Sequence, residues 1–396
     1  MPDGPFVVVG ASLAGLRAVE SARRNGYAGR LVMVGAEEHL PYDRPPLSKA
    51  FLDPGDDPAV PHHRTEEELR ALEVELRLGV PATALDTTDR LVVLGGDEQL
   101  HYRRLVLATG ARARELPGEQ LAGVHTLRTV DDARSIRRAL DAGCRTVVVG
   151  GGFIGSEVAS AARKRDVDVT ILEAAPLPLV RAVGEQMAAA CAALHARNGT
   201  ELRCGVTVAG LEGDGRVEGV ALSDGTVLPA DLVVVGIGAD PVTDWLDGSG
   251  LQVDDGIVCD ETLRAAPDVY AAGDVARWHN PLFDQGMRLE HWTSAAEQGS
   301  TAASNALAPQ DAAPYTTVPY FWSDWYTDKL QMVGITAADE VVVVGDPDDS
   351  RWLALYRRED LLVGALALNL PGKIMKYRAM IGRRTAWPEA LAFAGR

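Results

Sequence analysis

Two glycine-rich turns, at Gly10 and Gly150, each join a short apolar run to a helical pattern, and they recur 140 positions apart. The second is the fuller. Residues 145–150 read as a buried strand, 153–165 as a helix and 168–173 as a second strand, a βαβ unit of a parallel sheet. Gly150-Gly151-Gly152-Phe153-Ile154-Gly155 falls on the strand–helix junction. There Gly150 permits the tight turn, Gly152 lets a pyrophosphate reach the backbone, and Gly155 lets helix and strand pack closely. Phosphates are expected at the positive end of the helix, against free N–H groups. Glu173 ends the next strand, 23 positions after Gly150, where its carboxylate can accept hydrogen bonds from a ribose diol.

The first turn is Gly10-Ala11-Ser12-Leu13-Ala14-Gly15, between a strand at 6–10 and a helix at 13–25, with a second strand at 31–35. Ser12 stands in the place of the middle glycine, and Glu37 lies 27 positions after Gly10, beyond the usual spacing. Further strands at 104–109, 232–236 and 267–272 run into Gly110, Ile237-Gly238 and Gly273-Asp274. The separation is too long for a solenoid repeat and fits two nucleotide-binding folds of one design. Two such folds need two nucleotides, and FAD with NADH is the economical pair. Ala108-Thr109-Gly110 and Ala272-Gly273-Asp274 are placed to pass near a cofactor; Asp274 reads either as a ligand of ribitol and phosphate or as a helix N-cap. A carboxylate at Glu173 repels a 2′-phosphate, and residues 174–180 hold no Lys or Arg, Arg181 being the first, so NADH is expected over NADPH.

The remaining sequence sets limits. A proline-rich stretch at 41–61 reads as irregular and stiff. From Tyr315 onward aromatic residues crowd together, strands follow at 340–345 and 352–356 and a helix at 372–382, which suggests a separate α+β domain. With 396 residues the chain is long enough for two or three domains. A formal charge of −17 makes nucleic acid and anionic membrane poor partners. Cys144, Cys191, Cys204 and Cys259 form no C-x-x-C pair, so a redox disulfide, a zinc ribbon and a cluster-binding run lack support and no metal site is expected. The thiols fit a reducing cytosol. The N-terminus lacks a basic targeting region and no apolar run is long enough to cross a bilayer, so the chain reads as soluble and cytoplasmic, without a membrane partner.

Pro41-Tyr42-Asp43-Arg44-Pro45-Pro46-Leu47-Ser48-Lys49 resembles the signature of the FAD-dependent ferredoxin reductases that serve bacterial monooxygenases and ring dioxygenases. Leu127-Arg128-Thr129, residues 150–157, Gly236-Ile237-Gly238, Ala272-Gly273-Asp274, Glu290-His291-Trp292 and Pro319-Tyr320-Phe321-Trp322-Ser323-Asp324 match further, in family order. Ser12 departs from the full glycine fingerprint, and Trp325 stands where many members have Gln. The resemblance implies an α/β, glutathione-reductase-like fold: two Rossmann-type domains, the FAD domain at 1–112 and 243–316, the NAD domain at 113–242, and a C-terminal α+β domain at 317–396. It implies that Gly10, Ser12, Leu13, Ala14, Gly15 and Glu37 hold the adenine half of FAD. Arg44, Thr109, Arg128 and Asp274 would hold its phosphates and ribitol, with Pro46, Val80, Ala108, Gly110, Gly273 and His291 also near it. Lys49 would lie by the flavin ring, where a cation stabilises the anionic reduced form, and Trp292 and Trp322 would lie beside it. Gly150, Gly152, Ile154, Gly155, Glu173, Arg181 and Gly238 would take NAD. Glu157 would approach Lys49 and the nicotinamide; the plain alternative is a first-turn helix acid.

The same resemblance implies that hydride from NADH reaches the flavin and leaves as single electrons to a [2Fe–2S] ferredoxin. Acidic ferredoxins call for a basic docking surface. Residues 361–388 supply Lys373, Lys376, Arg378, Arg383 and Arg384 with no acid, and Arg288 is a second candidate. The chain is expected as a monomer or homodimer. An NADH oxidase, peroxidase or disulfide reductase of this fold needs a cysteine beside the flavin, and residues 37–51 contain none. A rubredoxin reductase differs only in its acceptor. A redox-sensing interaction protein, like the apoptosis-inducing flavoproteins, is the alternative of another class.

Overall fold

Four short apolar runs become central strands because both of their faces are covered. Phe6–Val9, Leu31–Val34, Thr146–Val149 and Leu232–Val235 are buried at every position. Burial of each such side chain is worth about 1.5–3 kcal/mol, and β-branched residues suit a pleated, doubly covered strand. The computed structural model describes residues 4–118 and 121–395. Residues 1–3 of the N-terminal run, and the parts of the expected domain ranges at 1–3, 119–120 and 396, lie outside the described residues.

The chain divides into two units. The first comprises the chain up to Asp43, Val60–Arg112 and Asp240–Pro319. Its main sheet has the order Arg264–Ala266, Val269–Ala271, Arg104–Leu107, Phe6–Val9, Leu31–Val34, Val74–Arg77. All neighbours are parallel except the first pair. Helices Leu13–Arg24 and Trp292–Leu307 pack so closely that a Cβ on Gly299 would lie 2.1 Å from the Ala14 carbonyl oxygen. A three-stranded antiparallel sheet, Ala82–Asp86, Leu91–Leu94 and Glu98–His101, completes the segment before Arg104.

The second unit comprises Arg44–Ala59, Ala113–Ala239 and the chain from Tyr320. Its parallel sheet has the order Val124–Thr126, Leu232–Val235, Thr146–Val149, Val169–Glu173, Glu201–Cys204. In both units the strand before the glycine turn is central, its successors lie on one side, and a later strand returns on the other. That reversal of order at one strand is where open α/β sheets bind nucleotides. Val149, Leu172 and Val233 share a core with Val217, Val220 and Leu222 of the antiparallel excursion between Val208 and Pro229. The C-terminal segment forms an antiparallel sheet, Tyr320–Trp325, Asp328–Gly334, Leu361–Leu368, Trp352–Arg358, Glu340–Val344, followed by helices Pro371–Gly382 and Trp387–Ala394.

The proline-rich stretch is more ordered than its composition implies. Pro45–Ser48 and Ala50–Leu52 are 3₁₀ turns, and proline fills the first positions of the former, where no N–H partner is needed. Asp274 lies within the 3₁₀ turn Gly273–Val275, whose N-cap is Ala272, so it is not an N-cap.

Candidate active site

In the first unit the residues read for one nucleotide fall at the carboxyl ends of parallel strands. Gly10, Ser12, Leu13, Ala14 and Gly15 follow Val9; Glu37 follows Val34; Ala108, Thr109 and Gly110 follow Leu107; Gly273 and Asp274 follow Ala271. Val80, three residues past Arg77, donates its N–H to the Gly35 carbonyl at 2.9 Å. In the second unit Gly150, Glu173 and Gly238 stand at the same ends of their sheet, with Gly152, Ile154 and Gly155 opening the helix Phe153–Arg163.

The glycines differ in what they do. Gly150 has φ +107°, and a Cβ there would lie 2.3 Å from the Gly236 carbonyl oxygen. Gly10 repeats this, with φ +120° and the Ala108 oxygen 2.0 Å away. Gly152 has an ordinary φ of −78°, and the nearest atom to a Cβ would be 3.8 Å away. The chain itself therefore gives no reason for glycine at 152, whereas a pyrophosphate close to the backbone does. Ser12 occupies the equivalent place with φ −117°, so a side chain is tolerated by the backbone there.

Both helices after these turns lack caps. Ser12 and Gly152 make no side-chain cap bond, and neither first turn carries an acid. Thr65 and Thr129 each form a full capping box, whereas the helices that begin after His291, Leu370 and Ala386 also lack a side-chain cap, so it is the glycine turn before the helix that sets these two starts apart. The first N–H groups of both helices, at the carboxyl ends of central strands, are suited to receive an anion. Gln298 adds a further open donor in the first unit. It is fully buried, accepts the Gly273 N–H at 2.8 Å, and leaves Nε2 without a hydrogen-bond partner. Sequence reasoning missed Gln298, which lies in a helix with no motif of its own. These features fit FAD and NAD.

Glu173 is used by its own turn: Oε2 accepts the Gly151 N–H at 2.9 Å and Oε1 the Ala175 N–H at 2.8 Å. Free lone pairs remain for a diol. Glu37 accepts the Tyr42 hydroxyl. Arg181 is exposed in the short helix Val180–Val183.

In the second unit several polar partners gather at the buried carboxylate of Glu157. It is the fifth residue of its helix, beyond the first turn, and only 4% exposed. Lys49 Nζ lies 2.8 Å from Oε1. The Ser323 hydroxyl also donates to Oε1 and the Ser48 hydroxyl to Oε2. A buried carboxylate requires such partners, because an unpaired one is costly. Ser48 and Ser323 lie within recognisable motifs, yet their hydroxyls gave no sign of a shared target far along the chain. Arg44 Nη1 donates to the Arg128 carbonyl at 2.7 Å, and Pro46 sits in the 3₁₀ turn just before Lys49. Trp322 stacks on Tyr320 at 5.8 Å. In the first unit Trp292 Nε1 donates to Asp43 at 2.7 Å, and burial lowers the His291 imidazole.

The candidate docking cations divide. Arg288, with its side chain 12% exposed, lies 3.1 Å from Asp255 and 2.8 Å from Glu290, so its charge is already balanced. Lys373 donates to the Ala394 carbonyl at 3.0 Å, and Arg378 covers the Tyr320 ring at 5.9 Å. Lys376, Arg383 and Arg384 are exposed, with Met375 beside them. No group of three metal-ligating side chains occurs among the described residues, and none of their helices is long and apolar enough to cross a membrane.

Two uncapped helix starts behind two glycine turns call for two phosphate-bearing cofactors, which is the constitution of a flavin- and nicotinamide-using oxidoreductase. The chain belongs to the family described as pyridine nucleotide-disulphide oxidoreductase, which it matches over residues 4–299; residues 320–394 match the family described as reductase C-terminal. It is 38% identical over 387 residues to the biphenyl dioxygenase system ferredoxin–NAD(+) reductase component of Paraburkholderia xenovorans, covering 96% of this chain and 94% of the relative. It is 36% identical to putidaredoxin reductase of Pseudomonas putida, covering 96% and 92%. Among solved structures, the covalent putidaredoxin reductase–putidaredoxin complex matches with a TM-score of 0.91 at 35% identity, covering 96% of this chain and 94% of that one.

Proposed function

We propose that this chain is an FAD-containing reductase that takes a hydride from NADH and passes electrons singly to a [2Fe–2S] ferredoxin of an oxygenase system, in the cytoplasm. The observation that carries the reading is the pairing of Lys49, just after the 3₁₀ turn Pro45–Ser48, with Glu157 on the helix that follows the Gly150 turn. The names of the relatives support a ferredoxin acceptor over a rubredoxin. When bound, FAD supplies the chemistry that accepts two electrons and returns them one at a time.

The residues divide the work. N–H groups behind Gly10 and Gly150 hold the two pyrophosphates, and Glu37 and Glu173 the ribose diols. Arg44, Thr109, Arg128 and Asp274 bind the remainder of FAD. Lys49 supplies a cation at the flavin ring, and Glu157 holds Lys49 and orients the nicotinamide, an alignment worth several kcal/mol. The FAD domain runs over 1–112 and 243–316, the NAD domain over 113–242, and the C-terminal domain over 317–396. Lys376 and Arg383, on or just beyond the helix Pro371–Gly382, receive the acidic partner, with exposed Met375 as its apolar neighbour.

Anaerobic NADH titration of the purified protein, followed by a [2Fe–2S] ferredoxin, tests this. The yellow colour bleaches with one NADH per chain and returns as ferredoxin is reduced. Colourless protein that takes up no flavin, or bleached protein that no ferredoxin reoxidises, overturns the proposal.

A further inference from the structure

Behind Glu157 lies a buried network that the reading above does not use. Trp325 is 1% exposed, and its Nε1–H donates to Ser323 Oγ at 2.7 Å. Ser323 in turn donates to Glu157 Oε1. A hydroxyl carries one proton, so a serine that accepts from an indole must send its own proton elsewhere. Here the carboxylate, which can only accept, is the recipient, and the indole N–H holds the serine oxygen in place by taking one of its lone pairs.

The indole is itself held. Its ring stacks on His195 at 5.0 Å with an interplanar angle of 23°. His195 is fully buried between the Ser156 hydroxyl at 3.2 Å and the Tyr326 hydroxyl at 2.8 Å. Tyr326 bonds onward to Thr200 Oγ1 at 2.8 Å, and its N–H donates to Ser160 Oγ at 3.0 Å. Tyr326 sits at φ +56° in a two-residue hairpin turn, an uncommon conformation for a bulky residue, maintained by these bonds. The hairpin tip is thus tied to Ser160, one turn after Glu157 on the same helix.

Glu157 Oε1 is shared between Lys49 and Ser323, whereas Ser48 takes Oε2. Lys49 has another acceptor within reach, the Pro45 carbonyl at 3.3 Å. If Lys49 turns away from the carboxylate, only Ser323 keeps Oε1 bonded in a buried site. We propose that Trp325, acting through Ser323, is a positioning residue for Glu157: the oriented hydroxyl keeps the carboxylate partnered and in place, which frees Lys49 to serve the flavin. This rests on the role given above to Lys49 and Glu157.

Rapid-mixing measurement of flavin reduction by NADH tests it, with the indole N–H resonance of Trp325 as a readout independent of turnover. W325F keeps a ring for His195 and deletes the donor; S323A deletes the relay and serves as a second route should W325F not fold; W325Q restores an N–H donor. The expected result is a limiting reduction rate lowered about tenfold in W325F and S323A, NADH affinity within about twofold, and recovery in W325Q. The indole resonance moves in S323A and in E157Q. A wild-type rate in W325F and S323A, with E157Q slow, defeats this inference and leaves the site reading standing. Wild-type rates in both E157Q and K49M defeat the site reading itself. Equal losses of rate and NADH affinity, or no recovery in W325Q, reduce Trp325 to packing, and an indole resonance unmoved in E157Q does the same.

Discussion

Gly150 and Gly152 are two positions apart and differ in kind. At Gly150 a side chain is refused by φ +107° and by the Gly236 carbonyl 2.3 Å from a Cβ. Gly150→Ala is therefore expected to cost about 1–3 kcal/mol of stability, read as a lowered thermal midpoint before any nucleotide is added. Gly152→Ala meets nothing within 3.8 Å and keeps an ordinary φ. Its melting should be unchanged while KM for NADH rises about tenfold, or ~1.4 kcal/mol; unchanged KM would mean that no phosphate approaches there. The motif was legible in sequence, but the division between a glycine needed by the fold and one needed by a ligand was not, since it depends on a carbonyl 86 residues later. Glu173 carries a second test at this scale. A carboxylate about 4 Å from a 2′-phosphate is opposed by about 4 kcal/mol at an effective dielectric near 20. kcat/KM should favour NADH over NADPH by at least about tenfold, and Glu173→Ala should narrow the gap.

Helix Glu185–Arg197 is joined to helix Phe153–Arg163 through His195, and that joint is sensitive to pH. Burial pushes the His195 imidazole from 6.5 down to about 4. Between those values the unfolded chain binds a proton that the folded chain refuses. Stability is thus full above about 6.5, falls as pH drops towards 4 and levels off below, with a total change of up to about 3 kcal/mol from this group. The thermal midpoint should fall across that window, and His195→Gln should flatten part of the slope; an identical slope in the variant assigns the effect to other groups. Neither this helix nor Val130–Asp141 nor Trp292–Leu307 stood out in sequence. Alanine and serine on the inward faces of the last, such as Ala295, Ala302 and Ser294, bury without a strong apolar stripe. The valine-rich strands, buried on both faces, were legible to within one or two residues because the run itself is the signal.

At the scale of the molecule, what stayed hidden is what joins distant segments. Lys49, Glu157 and Ser323 meet at one carboxylate although 274 positions separate the first from the last, and no local spacing encodes that meeting. Charge shows the same contrast between the whole and the part. A chain of formal charge −17 repels an acidic partner at long range, so an acidic ferredoxin must be drawn by a local field. The acid-free stretch at 361–388 supplies it, through the exposed Lys376, Arg383 and Arg384. Screening acts on both terms, and the Debye length shortens from about 10 Å at 0.1 M salt to about 3 Å at 1 M. If attraction at the helix Pro371–Gly382 dominates, ferredoxin reduction should slow steeply between these salts while NADH–dye reduction changes little, the effect lying in association rate. K376E with R383E should remove most of that salt dependence and slow ferredoxin reduction about tenfold or more, leaving NADH–dye activity intact. If ferredoxin reduction instead rises with salt in the unaltered protein, the net negative field outweighs the patch and docking lies elsewhere.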